Sequence, residues 1–184
     1  MGNILKQQIL DFASAVLAVF VGLRFKTIWE LKAYLKANNP DKHRILSRIY
    51  SYLTAKKGSF IGVNSTFEEI PTFPHDIFGV FISENAVIGK GCTIFQQVTI
   101  GSNTLPDSAK QGSPVIGNNV YIGAGAKIIG AVTIGDNCRI AAGASVAKDM
   151  PPNTVAVPAS TRFIQKEGMD NRFVNIRQFN SKNC

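Results

Sequence analysis

From Ile82 onward an aliphatic residue returns every six positions: Ile82, Ile88, Ile94 and Ile100, then, after one jump, Ile116, Ile122, Ile128, Ile134, Ile140 and Val146. A period of six fits neither the 3.6-residue turn of a helix nor the alternation of a long strand. It fits a short strand followed by a turn, repeated, which is the signature of a parallel β-helix. The residue after each aliphatic is usually small (Ser83, Gly89, Gly101, Gly117, Gly123, Gly135, Ala141, Ala147), and the fifth position is small or branched (Ala86, Cys92, Val98, Val120, Ala126, Val132, Cys138, Ala144). Three such hexads, eighteen residues, make one coil. Ile100 and Ile116 are one repeat plus ten residues apart, so ten residues there leave the coil as a loop.

The register also decides the cysteines. Cys92 and Cys138 hold the same position two coils apart, with Val120 between them. At a strand spacing of about 4.8 Å that is roughly 9–10 Å, beyond the disulfide limit of about 7 Å. Both are therefore expected as reduced core residues, as in a cytoplasmic chain. With Cys184 they form no CxxC pair and no metal-ligand spacing.

The N-terminal third is of another kind. Thr27 and Glu30 make a T-x-x-E capping box, which predicts a helix over 28–37. Pro40 stops it. Asp41 is expected to cap a second helix, with Ile45, Ile49 and Leu53 on its apolar face and Gly58 as its terminator. His43 falls in that segment and reads as a surface histidine. Residues 9–23, ILDFASAVLAVFVGL, are strongly apolar but too short to span a bilayer, and Asp11 and Ser14 interrupt them. They read as a buried or self-associating helix, with an interfacial helix on a membrane surface as the alternative. The signal-peptide and myristoylation patterns are not met. The expected organisation is a helical region over 1–58, the repeat domain over 59–163 and a tail over 164–184.

The net charge is +8, and residues 1–58 carry ten Lys/Arg against Asp11, Glu30 and Asp41, a net of +7. A field concentrated in this way favours an anionic partner such as a charged polymer or anionic lipid. No nucleic-acid-binding motif accompanies it. The expected location is the cytoplasm, at the inner face of the membrane if residues 9–23 lie on it.

Three stretches, ISENAVIGKGCTIFQQVTIG, PVIGNNVYIGAGAKIIGAVTIGDNCRIAAGASVAKDMPPNT and VPASTRF, resemble the hexapeptide-repeat acyltransferases. The branch they look most like is the serine-acetyltransferase-like proteins, which include sugar and polysaccharide O-acetyltransferases. Over residues 73–163 the resemblance implies a left-handed parallel β-helix, a homotrimer or a multiple of one, and acetyl-CoA as acetyl donor in a groove between subunits, with no metal. It implies that His75, in PHDIFGVFISENAVI, is the general base. Such a base takes the proton of an attacking hydroxyl and supplies about 10²–10⁴ in rate. Read without the resemblance, His75 is a structural histidine closing the coil. The resemblance also places Ala124 (IGAGAK) and Ala142 (IAAGAS) along the pantetheine arm through their backbone N–H groups. It puts Ser102 near the thiol end, and Lys148 and Arg162 near the CoA phosphates.

Departures from the pattern narrow the acceptor. Pro74 stands where serine acetyltransferases carry an Asp before the histidine, and Ser113 stands where a second histidine precedes the proline, here Pro114. Ser160 replaces a common Lys or Arg. The Asp that orients the histidine has no match in KKGSFIGVNSTFEE, which leaves Asp76, Glu68 and Glu69 as candidates. These departures argue against L-serine and toward a carbohydrate hydroxyl, that of a cell-surface polysaccharide or its precursor. The competing readings are an N-acetyltransferase of an amino sugar or nucleotide sugar, and a non-catalytic trimeric scaffold. Two histidines in all exclude a three-histidine zinc site.

Overall fold

The computed structural model describes residues 21, 22, 24–108 and 110–160. The chain winds as a three-faced prism of short parallel strands. One face stacks β1 (Phe60–Ile61), β4 (Phe81–Ile82), β7 (Thr99–Gly101), β10 (Lys127–Ile129) and β13 (Ser145–Val146). The second stacks β2 (Thr66–Phe67), β5 (Val87–Ile88), β8 (Val115–Ile116) and β11 (Thr133–Ile134). The third stacks β6 (Thr93–Ile94), β9 (Tyr121–Ile122), β12 (Arg139–Ile140) and β14 (Val155–Ala156). The expected register holds throughout. Ile82, Ile88, Ile94, Ile122, Ile128, Ile134 and Ile140 all point into the prism and are buried, as are Cys92 and Cys138, both free thiols. Each such isoleucine contributes about 1.5–3 kcal/mol by leaving water.

The stacking has three irregularities. Phe81 pairs with Thr99 at the regular eighteen residues, but Thr99 pairs with Lys127 ten residues beyond that interval. The excess is the loop after β7, closed at its base by the antiparallel bridge Asn103–Gly112. The last coil is two residues short, since Ile134 bridges Met150. The first coil lies inside the expected 59–163 but before the period of six becomes readable: Ile61 and Phe67 already stack beneath Ile82 and Ile88. It is three residues long of the regular interval, because Phe60 pairs with Phe81. The extra residues fall between Thr72, bridged to Thr93, and Phe81.

The helix Ile28–Ala37 has the expected bounds, and Thr27 Oγ1 accepts the Glu30 N–H at 3.2 Å. The return bond goes one residue earlier than a standard box, from Lys26 N–H to Glu30 Oε2. This helix and the helix Arg44–Ala55 cover the N-terminal end of the prism. Trp29 lies flat on Phe73 and edge-on to Phe67. Lys32 is buried, and its ammonium donates to the carbonyls of Val63 (3.0 Å) and Ser65 (2.6 Å). Burial pulls its pKa down to about 8. The Tyr50 hydroxyl donates to the Ile61 carbonyl at 2.9 Å.

Two expectations for the second helix are corrected. Its cap is not Asp41: Pro40–His43 form a 3-10 turn, and the Asn39 side chain accepts the Asp41 N–H. Proline at the first position starts that turn one residue earlier. Ile45 does not belong to the apolar face and is 65% exposed, because the buried stripe runs through Ile49, Tyr50 and Thr54 instead. His43 is half-buried and packs edge-on against Tyr34. Most of residues 9–23, all of the tail and Arg162 lie outside the described residues. Among those described, no helix is long and apolar enough to cross a membrane.

Candidate active site

The three extra residues of the first coil explain why a histidine stands at residue 75. A regular hexad alternates inward and edge positions. The insertion instead carries the first three residues of β3 (Pro74–Ile77) outward at the edge between the third and first faces, and Ile77 turns back into the core. Asp76 adopts φ +57°, rare for a side-chain-bearing residue. Its carboxylate offsets that cost by accepting the Ile77 N–H and pairing with Lys57. The Lys57 ammonium, with the Ile77 N–H, holds the Asp76 carboxyl below its usual pKa.

This arrangement settles two of the candidates for orienting His75. Asp76 is engaged with Lys57, and Glu69 Oε2 accepts the Gly91 N–H one coil on. The His75 ring meets Gln96 instead, with Nδ1 2.7 Å from Oε1. It also packs edge-on against Phe95, with ring centroids 5.6 Å apart and planes at 87°. Below it on the third face, Phe95 touches Tyr121, and Arg139 lies over the Tyr121 ring. Neither Gln96 nor Phe95 was singled out from the sequence.

Gln96 also begins a vertical stack along this edge. Its carbonyl accepts the Gly125 N–H (3.0 Å), and the Ala124 carbonyl accepts the Gly143 N–H (2.9 Å). The corners 95–97, 123–125 and 141–143 therefore sit one above another, with His75 at the head and Ala124 and Ala142 beneath it. The N–H groups of Ala124 and Ala142 donate to no acceptor among the described residues. A Cβ built on Gly125 or Gly143 would meet nothing within 4 Å, so the edge is open there. Two outward donors on an open ledge fit an extended, amide-bearing chain of the pantetheine kind.

Ser102 and Lys148 do not join this group. They lie at the edge between the first and second faces, where Ser102 Oγ and Ser113 Oγ are 2.7 Å apart. Nearby, Lys110 pairs with Asp149 at 2.8 Å. The physical reason is the register: both follow strands of the first face, whereas Ala124 and Ala142 precede them. Among the described residues, no three His, Cys, Asp or Glu side chains are grouped to hold a metal ion.

A prism of this kind, wound from hexads around a column of isoleucine, is the left-handed parallel β-helix of the hexapeptide-repeat acyltransferases. Residues 113–148 match the family model described as bacterial transferase hexapeptide (six repeats). The chain is 43% identical over 91 residues to a serine acetyltransferase of Synechococcus elongatus, covering 50% of this chain and 36% of that one. It is 33% identical over 130 residues to a serine acetyltransferase of Mycobacterium tuberculosis, covering 71% and 52%. Among solved structures, serine acetyltransferase isoform 3 of Entamoeba histolytica, in complex with cysteine, superposes with a TM-score of 0.56 at 27% identity, over 84% of this chain and 52% of that one. A serine acetyltransferase in complex with CoA superposes with a TM-score of 0.58 at 26% identity, over 72% and 53%. The chain spans about half or less of the length of these relatives. These names overturn the carbohydrate acceptor expected from the sequence, because the matched relatives are named for serine. Pro74 and Ser113 were weighed too heavily there: a change at two positions alters contacts without naming a new acceptor.

Proposed function

We propose that this chain is an acetyl-CoA-dependent O-acetyltransferase whose acceptor is the hydroxyl of serine or a closely related small amino acid. The observation that carries this reading is the single edge on which His75 heads the unpaired amides of Ala124 and Ala142. The donor, when bound, supplies a thioester already activated for attack. His75 takes the acceptor's proton as its oxygen bonds the thioester carbon. It then returns that proton to the departing CoA sulfur, which leaves an ester and a free thiol. No acyl-enzyme is needed. Ala124 and Ala142 hold the arm in line with the ring, which gives the reaction its proximity.

Ser102, toward the thiol end, and Lys148, toward the CoA phosphates, reach the same bound donor only from a neighbouring chain, since they occupy another edge. We therefore take the working assembly to be a homotrimer, with residues 1–58, 59–163 and 164–184 as helical region, transferase domain and tail. The test is release of free thiol from acetyl-CoA on addition of L-serine. Release that depends on L-serine supports the reading. No release above the rate of thioester hydrolysis overturns the acceptor.

A further inference from the structure

We propose that Gln96 is a positioning residue that fixes the tautomer of His75, and so decides which ring nitrogen acts as the base. The proposal rests on the reading of His75 as the base. A neutral imidazole carries its proton on one nitrogen and a lone pair on the other, and the hydrogen bond made by one nitrogen sets the state of the other. Gln96 presents its carbonyl oxygen, Oε1, to Nδ1 at 2.7 Å. A carbonyl only accepts, so Nδ1 carries the proton and the lone pair is left on Nε2. Free histidine prefers the opposite tautomer, with the proton on Nε2, which could not accept from a hydroxyl there. Gln96 thus inverts the intrinsic preference, and the edge of the Phe95 contact restricts rotation of the ring.

The backbone of Gln96 gives the residue a second attachment. Its carbonyl accepts the Gly125 N–H beside Ala124. One residue therefore ties the imidazole to the ledge of unpaired amides, and its side chain is free to vary without disturbing that backbone bond. A neutral amide holds the ring without placing an anion beside it, whereas Asp76, the nearest carboxylate in sequence, is kept by Lys57.

The experiment is nitrogen-15 NMR of the imidazole ring in a His43→Gln background, where the remaining histidine signals belong to His75. The wild-type ring is expected in the Nδ1–H form. Gln96→Ala should shift it toward Nε2–H, and Gln96→Glu, which keeps an acceptor oxygen, should hold it in the Nδ1–H form. In kinetics, Gln96→Ala should lower kcat roughly two- to thirteenfold, the range of one lost neutral hydrogen bond. KM for acetyl-CoA should stay unchanged, and Gln96→Glu should recover the rate. A wild-type ring in the Nε2–H form, or a Gln96→Ala spectrum identical to wild type, overturns the proposal. The spectrum needs no turnover, so it answers this question even where the acetyl transfer itself proves wrong.

Discussion

Replacing Ala124 and Ala142 by proline isolates the two backbone donors from everything else the fold needs. Each alanine is the second residue of a four-residue turn. Ala126 N–H closes one onto the Gly123 carbonyl (3.2 Å), and Ala144 N–H closes the other onto the Ala141 carbonyl (3.1 Å). The third residues, Gly125 and Gly143, have φ of +67° and +70°. That pattern is a type II turn, whose second position accommodates proline. The preceding residues leave strands β9 and β12 in the extended conformation proline requires. Because neither N–H is used within the described fold, its removal should not destabilise the protein. Stiffening the unfolded chain should add about 0.4–1 kcal/mol per site. Each lost donor should weaken CoA by about 0.5–1.5 kcal/mol, roughly two- to thirteenfold in Kd. Calorimetric unfolding and isothermal titration with CoA measure the two effects separately. A folded double variant that binds CoA as tightly as wild type refutes the placement of the arm. A large drop in Tm refutes the claim that these amides are idle in the fold.

A methyl at Gly135 would come 2.5 Å from the backbone nitrogen of Pro152, so Gly135→Ala should cost about 1–3 kcal/mol and lower Tm. Ile94→Ala empties a fully buried site and should cost about 2–5 kcal/mol in chemical denaturation. The Lys32 pKa is lowered from 10.5 to about 8. Between those values the unfolded chain holds a proton that the folded chain releases, so stability due to this residue rises with pH across that window, by on the order of 3 kcal/mol. Below it, the full cost of burying the charge is present. Unfolding measured from pH 7 to 10.5 should show that rise in wild type and not in Lys32→Met. Ser113→Ala removes one hydroxyl contact and should reduce turnover no more than roughly two- to thirteenfold. Light scattering at micromolar concentration should give a trimer or a multiple of one, and a monomer would remove Ser102 and Lys148 from the site.

Much of the fold was legible because one physical pattern repeats: a buried aliphatic every sixth residue sets the strands and their register, the hand of the coil came from the resemblance, and the loop after β7 shows as an interruption of the pattern. The register of the first coil was not legible within the expected 59–163, because Phe67 and Phe73 stand where the next coil carries Ile88 and Ile94, and the three-residue insertion breaks the period just before Ile82. That same insertion hid the partner of His75. Residues a coil apart can be paired by counting, but His75 and Gln96 lie twenty-one residues apart, off the eighteen-residue interval, and nothing in a run reading FQQ distinguishes Gln96 from Gln97. The alanine stack was legible through its eighteen-residue spacing. The separation of Ser102 and Lys148 from it within one chain was readable from the same register, and it is compatible with the groove between subunits that the resemblance implied. At Ile45, a spacing of four gave the right helix and the wrong stripe, because the buried side chains are Ile49 and Tyr50, which cluster with Leu31 and Leu35 of the first helix.

The most direct test of the central claim is the turnover number of His75→Ala, set beside its affinity for acetyl-CoA, with L-serine as acceptor and thiol release as the signal. If His75 is the base and the donor is held by the ledge below it, kcat falls by about 10²–10⁴ while Kd for acetyl-CoA stays at the wild-type value. If the variant keeps more than about a tenth of wild-type turnover, well short of the loss expected of a general base, His75 only closes the coil and the proposed mechanism is wrong.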